Sequence, residues 1–386
     1  MASIRLTQEQ NLLKDSVQRL FGDLYSFEER RKIVQSPAAF SEDIWARAAA
    51  LGWLPIPFDE DEGGLGGGVV DLNILFEQIG RSLAVEPFLE TLVAAGGVIR
   101  RSTHERRAEW IDALIAGRLH GAFACMEAHG RCEPDEIQTL ATENDAADGY
   151  VLSGRKINVG NAEQADLIVV WSLLRRKGGR DKAALFAVTP DAAKMKLDAY
   201  TTIDGRRAAS IEFDQTPLAR SCLLAEGSAA TRIFQEVFSD ISLALSAEQV
   251  GAIDALIEKT ADFARGRRQF GSPLSKFQAI QHMLADMTIQ AELARSLTHA
   301  AARAAHDGDP DAPALAAAAR AKSDAAGRFV AETAIQIHGA IGTTQELSIG
   351  HYLKRNLASG CQFGGYRDFI GRFIAQYPLE NCGGAP

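Results

Sequence analysis

The sequence predicts a mainly α-helical protein with a β-sheet insert near its middle. Residues 1–118 and 226–386 carry apolar side chains at helical spacing, whereas residues 119–225 hold short β-prone runs between turn residues. A chain of 386 residues is too long for one typical core. We therefore expect an N-terminal α-helical domain (1–118), a middle β-sheet domain (119–225) and a C-terminal α-helical bundle (226–386). Strands and helices do not alternate, which argues against a Rossmann domain.

The composition is that of an ordinary globular protein, with 46% hydrophobic and 24% charged residues. The formal net charge of -9 argues against nucleic acid as a partner, because phosphates select clustered Lys and Arg. No run of about twenty apolar residues predicts a membrane span. Five cysteines without a CxxC pair favour a reduced, cytoplasmic chain over a disulfide scaffold, and they predict no metal site.

In the first region, two polar residues predict helix starts. Thr7 followed by Gln10 fits a capping box, and Ser41 precedes acidic residues of a first turn. The segment from Pro57 to Gly68 contains five glycines. No strand precedes it and no Gly-Lys-Ser/Thr closes it, so we interpret it as an irregular connector rather than a phosphate-binding loop.

The middle region contains five short β-prone runs. The turn pairs Asp148-Gly149, Gly178-Gly179 and Asp204-Gly205 stand between them. This pattern predicts a small antiparallel sheet. The runs are Ala122–Cys125, Tyr150–Leu152, Leu167–Trp171, Ala184–Val188 and Ile211–Phe213.

Apolar stripes at helical spacing return after residue 226, interrupted at Gly308-Asp309-Pro310. Pro313 fits the first turn of an Ala-rich helix that runs toward His338. We interpret His338 as a hydrogen-bonded structural histidine. The chain contains no Gly-x-Ser-x-Gly or His-Glu-x-x-His motif, so any chemistry is expected to come from a cofactor.

Two segments carry a family resemblance. RRQFGSPLSKFQ (267–278) resembles the RxxFGxPLxxFQ signature of the acyl-CoA dehydrogenase family, and QIHGAIG (336–342) resembles its QxHGGxG motif. The similarity extends over nearly the whole chain. In appearance it is closest to pimeloyl-CoA dehydrogenase small subunits and to steroid-side-chain acyl-CoA dehydrogenase subunits. It implies the acyl-CoA dehydrogenase fold, in which the C-terminal domain is a four-helix bundle. It also implies bound FAD and α,β-desaturation of an acyl-CoA. It also implies a homo- or heteromeric dimer or tetramer with another chain of the family.

The resemblance also implies cofactor contacts. Arg267 matches the arginine that reaches the flavin pyrophosphate across a subunit interface. The family's "TEP" element reads Cys125-Met126-Glu127-Ala128-His129 here, and the threonine near flavin N5 becomes Gly160. The implied cofactor-binding residues are Arg267, Phe270, Gln278, Gln336, Gly339, Gly342, Met126 and Gly160.

The largest departure from the family concerns the catalytic base. Relatives carry "YEG" or "FGD" where this chain reads Phe363-Gly364-Gly365, so that the Glu position is Gly364 and the Asp position is Gly365. An alternative base position falls on Ile241, with the neighbouring substrate arginine replaced by Ser242. We therefore predict a base-lacking subunit of a heteromer that acts on a bulky, cyclic or dicarboxylic acyl-CoA.

Two other interpretations stay open on the sequence. In the first, the chain is an active dehydrogenase in which Asp368 or Asp240 has become the base. In the second, it is a flavin monooxygenase-like protein, or a non-catalytic scaffold, of the same fold.

Overall fold

The structure, a computed structural model, describes residues 6–128, 136–144, 148–192 and 194–377. His129 and two of the five cysteines, Cys132 and Cys382, lie outside these ranges.

The chain divides into two compact units. The unit called here the helical unit draws on Met1–Ile33, Gly68–Val85 and Ser242–Pro386. The unit called here the sheet unit draws on Val34–Gly67 and Glu86–Ile241.

Helices precede and follow a central block of strands. The helices are α1 (Gln8–Leu24), α2 (Phe27–Gln35), α3 (Glu42–Ala50), α4 (Val69–Ser82), a π-helix (Leu89–Ala95), α5 (Gly96–Arg101), α6 (Arg107–Ile115), α7 (Gly227–Gly266), α8 (Gln278–His306), α9 (Ala312–His338), α10 (Ser348–Ser359) and α11 (Tyr366–Gln376). The strands are β1 (Gly121–Ala124), β2 (Leu140–Asn144), β3 (Gly149–Gly160), β4 (Leu167–Arg175), β5 (Lys182–Val188), β6 (Met195–Thr201), β7 (Arg207–Ala219), β8 (Leu223–Glu226), β9 (Arg268–Gln269) and β10 (Ser272–Pro273). The fold is mainly α with a β insert, as the sequence predicts.

Helix starts in both units follow the local signals in the sequence. The Thr7 hydroxyl accepts the Gln10 N–H at 3.2 Å, and the Gln10 side chain accepts the Thr7 N–H at 3.1 Å. The Ser41 hydroxyl accepts the Ile44 N–H. Pro313 lies in the first turn of α9. These three predicted helix starts are confirmed. The sequence predicts them because each depends on interactions within one helical turn.

The helical unit is built on close helix packing. Helices α8 and α9 pack along each other, and α9 also packs against α10 and α11. Helix α4 crosses α7 with backbones in contact, because a Cβ on Gly80 would lie 1.8 Å from the carbonyl oxygen of Glu248. A Cβ on Gly251 would lie equally close to that of Glu77, so this crossing requires glycine on both helices.

The sheet unit contains a mixed sheet in the order β6-β7-β3-β2-β4-β5-β8, with β1 also paired to β4. All five predicted runs contribute to its strands. The predicted antiparallel pairing is found for β2 with β3, β3 with β7, β4 with β5, β5 with β8 and β6 with β7. It is wrong for β1 and β2 against β4, because both pair with β4 in parallel. Whether two strands pair in parallel or antiparallel is set by packing between distant segments, which β-propensity does not encode.

The glycine-rich connector folds back on itself. The Gly66 N–H donates to the Phe58 carbonyl at 2.8 Å, and the Gly67 N–H donates to that of Ile56 at 2.8 Å. A Cβ on Gly64 would lie 2.0 Å from the Phe58 oxygen. These glycines therefore permit close backbone approach within the connector, as its interpretation predicts.

No helix of the described residues is long and apolar enough to cross a bilayer. Among the same residues, no group of three or more His, Cys, Asp or Glu side chains is arranged to hold a metal ion.

Candidate functional site

A short hairpin after α7 presents an arginine and an aromatic ring. Strands β9 and β10 pair antiparallel across the two-residue turn Phe270-Gly271. Both turn residues have positive φ, +51° and +79°, the conformation that two-residue hairpins require. Phe270 is 92% exposed, and Arg267 is exposed as well. A phenylalanine that is both exposed and left-handed is uncommon, and such residues concentrate where a ligand or partner binds.

The second motif lies where α9 ends. Gly339 has φ +67°, and a 3₁₀-helix over Gly339–Thr343 follows. A Cβ on Gly342 would lie 3.0 Å from the Cβ of His338, so this turn is closely packed. Gln336 is exposed at the same helix end.

His338 packs the C-terminal end of α9 against the last turns of α7. Its ring stacks on Phe263 of α7, with centroids 4.2 Å apart and planes at 26°. Its Nδ1 lies 2.8 Å from the Ala334 carbonyl oxygen. Burial lowers the pKa of His338, and the bond to Ala334 offsets this only in part. The predicted structural role of His338 is confirmed.

Exposed side chains of the two motifs have the chemistry to contact a dinucleotide. A guanidinium suits pyrophosphate oxygens through its fork of donors. An exposed aromatic ring offers a stacking surface, and exposed amides offer donors and acceptors. The residues with these properties are Arg267, Phe270, Gln278 and Gln336. This donor set suits the FAD that the resemblance implies.

A second candidate group lies in the sheet unit. The Met126 carbonyl accepts the Ile157 N–H at 2.9 Å, and the Met126 Sδ lies 4.0 Å from Nδ2 of Asn158. The pairing of β3 with β7 shifts register between Lys156 and Val159, and Asn158 has φ +51°. Met126 therefore lies beside the irregular C-terminal end of β3.

A buried ion pair that the sequence reasoning missed fixes this segment. Lys156 Nζ lies 2.6 Å from Glu127 Oε1, and the lysine side chain is fully buried. Glu127 also accepts the N–H groups of Gln138 and Thr139 and the Thr139 hydroxyl. The sequence signal for this pair is Lys156 itself, which lies within a strand. A lysine is almost never buried without a partner, so its burial there would require a nearby carboxylate.

Gly160, the last residue of β3, lies against a buried carboxylate from the π-helix. A Cβ on Gly160 would lie 2.6 Å from Oε1 of Glu90. Sequence reasoning did not single out Glu90, because nothing local relates residues seventy positions apart.

Gly364 and Gly365, which the resemblance aligns with the catalytic base, differ in backbone conformation. Gly364 has φ +119°, which L-residues rarely adopt, whereas Gly365 has φ -107° and stands at the N-cap of α11. The Asp368 Oδ2 accepts the Gly365 N–H at 2.8 Å. Asp368 therefore caps the helix.

Asp240 is held between two arginines. Its Oδ2 lies 3.1 Å from Arg100 Nη2 and 2.7 Å from Arg101 Nη2. Ile241 and Ser242, which the resemblance aligns with an alternative base and a substrate arginine, are buried in α7. Two guanidinium groups hold this carboxylate in place, which is a structural arrangement.

We expect Asp368→Ala to lower the free energy of unfolding by about 1 kcal/mol, because the first turn of α11 loses its acceptor. Asp368→Asn keeps an acceptor oxygen but no basic group, and should retain most of that stability. Urea unfolding of both variants measures the difference. Equal stability of Asp368→Ala and the unaltered chain would contradict the capping role.

Comparison with known proteins gives consistent matches. Residues 7–118 match the N-terminal domain of acyl-CoA dehydrogenases, and residues 231–365 match the C-terminal domain. The chain is 26% identical to the acryloyl-CoA reductase (NADH) of Anaerotignum propionicum, over 87% of this chain and 86% of that protein. It is also 26% identical to the short-chain specific acyl-CoA dehydrogenase of Megasphaera elsdenii, over 82% and 84%. A solved variant of the Tcur3481–Tcur3483 steroid acyl-CoA dehydrogenase superposes with a TM-score of 0.86 at 26% identity, covering 97% of this chain and 99% of that one.

Proposed function

The chain belongs to the acyl-CoA dehydrogenase family, and on that premise we propose that it is an FAD-binding, base-lacking subunit of a heteromeric acyl-CoA dehydrogenase. Its substrate would be a bulky, cyclic or dicarboxylic acyl-CoA. The observation that carries the proposal is the glycine pair at the base position, Gly364 and Gly365, which offers no group that can accept a proton.

The chain's own residues supply the cofactor contacts. We assign Arg267 to the pyrophosphate, Phe270 and Gln278 to the adenine and ribose end, and the turn at Gly339 and Gly342 to the length of the dinucleotide. The remaining members of the set are Gln336, Met126 and Gly160. When bound, FAD supplies the hydride acceptor of the family's reaction.

The contacts of Asp368 and Asp240, the two candidates for a displaced base, argue against that role. Asp368 accepts a backbone N–H as a helix cap, and Asp240 is paired with two arginines. A general base must be free to take a proton from substrate within hydrogen-bond reach. Neither carboxylate is arranged for this.

The support for a heteromer and for a bulky, cyclic substrate comes from a solved relative. The solved protein at 26% identity is a steroid acyl-CoA dehydrogenase named for two chains, Tcur3481 and Tcur3483. A chain without a catalytic base can be part of an active enzyme when a second chain of the family supplies the base.

The test is the flavin absorbance of the purified chain during anaerobic mixing with a panel of acyl-CoAs. We expect a yellow protein whose bleaching is slower by about 10²–10⁴-fold than that of a variant with a restored carboxylate, since general base catalysis contributes that much. The restoring variant is Gly365→Asp, because Gly365 has an ordinary φ and a Cβ there meets Asp368 only at 3.7 Å.

The matched control is Gly371→Asp on the same helix, where a Cβ meets nothing within 4 Å. It adds the same charge outside the base position and should leave bleaching slow. Rapid bleaching by the unaltered chain would reject the base-lacking assignment. A colourless chain that does not take up FAD would favour the scaffold interpretation instead.

A further inference from the structure

The π-helix over Leu89–Ala95 is an unusual element in a buried position. Its ladder closes with the Gly96 N–H donating to the Thr91 carbonyl, one residue wider than in an α-helix. All seven of its residues are buried, including the charged Glu90, which is 7% exposed. Single π-helical turns are rare and frequently lie at functional sites.

The π-helix rests directly on the end of the sheet. The Gly121 N–H donates to the Thr91 hydroxyl at 3.2 Å, and a Cβ on Gly121 would lie 2.6 Å from the Cβ of Ala95. The side chain of Asn161, which follows β3, donates to the Gly121 carbonyl at 3.2 Å. The ends of β1 and β3 and the π-helix therefore form one packed layer.

The carboxylate of Glu90 occupies the space where a side chain of residue 160 would begin. A Cβ on Gly160 would lie 2.6 Å from Oε1, 2.9 Å from Cγ and 3.2 Å from Cδ of Glu90. The Gly160 backbone lies outside the left-handed region, so its own conformation does not require glycine. Glycine is required at position 160 because Glu90 fills the adjacent space.

We propose that Glu90 replaces the missing side chain of residue 160 and contacts the flavin ring with its carboxyl group. This inference rests on the proposed function, which places residue 160 beside the flavin. A carboxyl group offers a hydrogen-bonding oxygen where a threonine would offer its hydroxyl. Glu90 is thus a cofactor-contacting residue brought to the site by the π-helix rather than by the sheet.

The experiment is a double-mutant cycle read by the FAD dissociation constant and the flavin absorption spectrum. Glu90→Ala should weaken FAD binding about tenfold or more and shift the spectrum, because the flavin loses a hydrogen-bonding group. Gly160→Thr alone should also weaken binding, because its side chain collides with Glu90. The double variant Glu90→Ala/Gly160→Thr should bind FAD better than Gly160→Thr alone.

The matched control is Glu86→Ala. Glu86 is also buried, and its Oε1 accepts the Ser41 N–H at 3.2 Å. This variant should lower the melting temperature of the apoprotein without changing the flavin spectrum. If Glu90→Ala does not fold, the nearly isosteric Glu90→Gln replaces it and should shift the spectrum.

Two results would overturn the inference: unchanged affinity and spectrum in the Glu90 variant, or additive effects in the double variant. An unaltered chain that binds no FAD would instead refute the proposed function. The two failures are therefore distinguishable.

Discussion

Lys156→Met is expected to lower the free energy of unfolding by about 3–5 kcal/mol, because it leaves the buried Glu127 carboxylate without its charged partner. The lysine side chain is fully buried, and its Nζ lies 2.6 Å from Glu127 Oε1. FAD affinity should fall as well, because Glu127 fixes the segment that carries Met126. Urea unfolding and flavin titration measure the two effects.

The same pair makes a prediction about pH. Burial raises the pKa of Glu127, but the charge of Lys156 and hydrogen bonds from Lys156, Thr139 and Gln138 outweigh it, so that the pKa lies below its ordinary value of 4.5. A carboxyl whose pKa is depressed by folding stabilises the protein above the unfolded pKa, and this stabilisation is lost as the pH falls through the folded pKa. The stability difference between the unaltered chain and Lys156→Met should therefore shrink below about pH 4.5.

Two further variants make the lysine prediction decisive. Lys196→Met changes an exposed lysine of β6 in the same sheet, and should shift stability by less than about 0.5 kcal/mol. Adding Glu127→Gln to Lys156→Met removes the uncompensated charge and should recover part of the loss. A Lys156→Met variant as stable as the Lys196→Met control would show that the buried pair does not stabilise the sheet unit.

Arg355→Met should destabilise the helical unit to a similar extent, by about 3–5 kcal/mol. Arg355 and Glu248 are both buried, and their side chains meet at 2.9 Å. The same guanidinium donates to the carbonyls of Leu83 at 3.3 Å and Ala84 at 2.9 Å, where α4 ends with Leu83 at φ +55°. The variant takes the Arg355 guanidinium from the buried Glu248 carboxylate and removes donors from the end of α4.

The control for this variant is Arg328→Met on α9, since Arg328 pairs with Glu332 at 2.8 Å on the exposed surface. Exposed pairs contribute about 0–1 kcal/mol, so the control should unfold nearly as the unaltered chain does. Comparable urea midpoints for the two arginine variants would argue against a stabilising role for the buried pair.

Much of the fold follows from the sequence. Thr7, Ser41 and Pro313 each mark a helix start, because their bonds or ring constraints act within one turn. The β-prone runs predict strands, since alternating or apolar β-branched segments fit a pleated surface. The glycines at positions 364 and 365 are likewise visible directly, because a missing side chain needs no structure to reveal it.

The strand partners and the buried charge pairs did not follow from the sequence. The parallel pairing of β1 with β4 joins residues more than forty positions apart, as in Gly121 with Leu167. Lys156 and Glu127 are apart by nearly thirty positions, and each alone is typical of a solvated strand or turn. Whether such charges are buried together depends on how the whole sheet closes over them.

The sequence by itself determined the helix starts, the strand-forming runs, the family and the absence of a carboxylate at residues 364 and 365. Only the tertiary structure decided that Asp368 is a helix cap, that Asp240 is paired with arginines and that Glu90 fills the space beside Gly160. The physical reason is the separation along the chain of the residues that interact. Local hydrogen bonding and side-chain shape are set by neighbours along the chain, whereas the surroundings of a buried carboxylate are set by segments that meet only when the core packs.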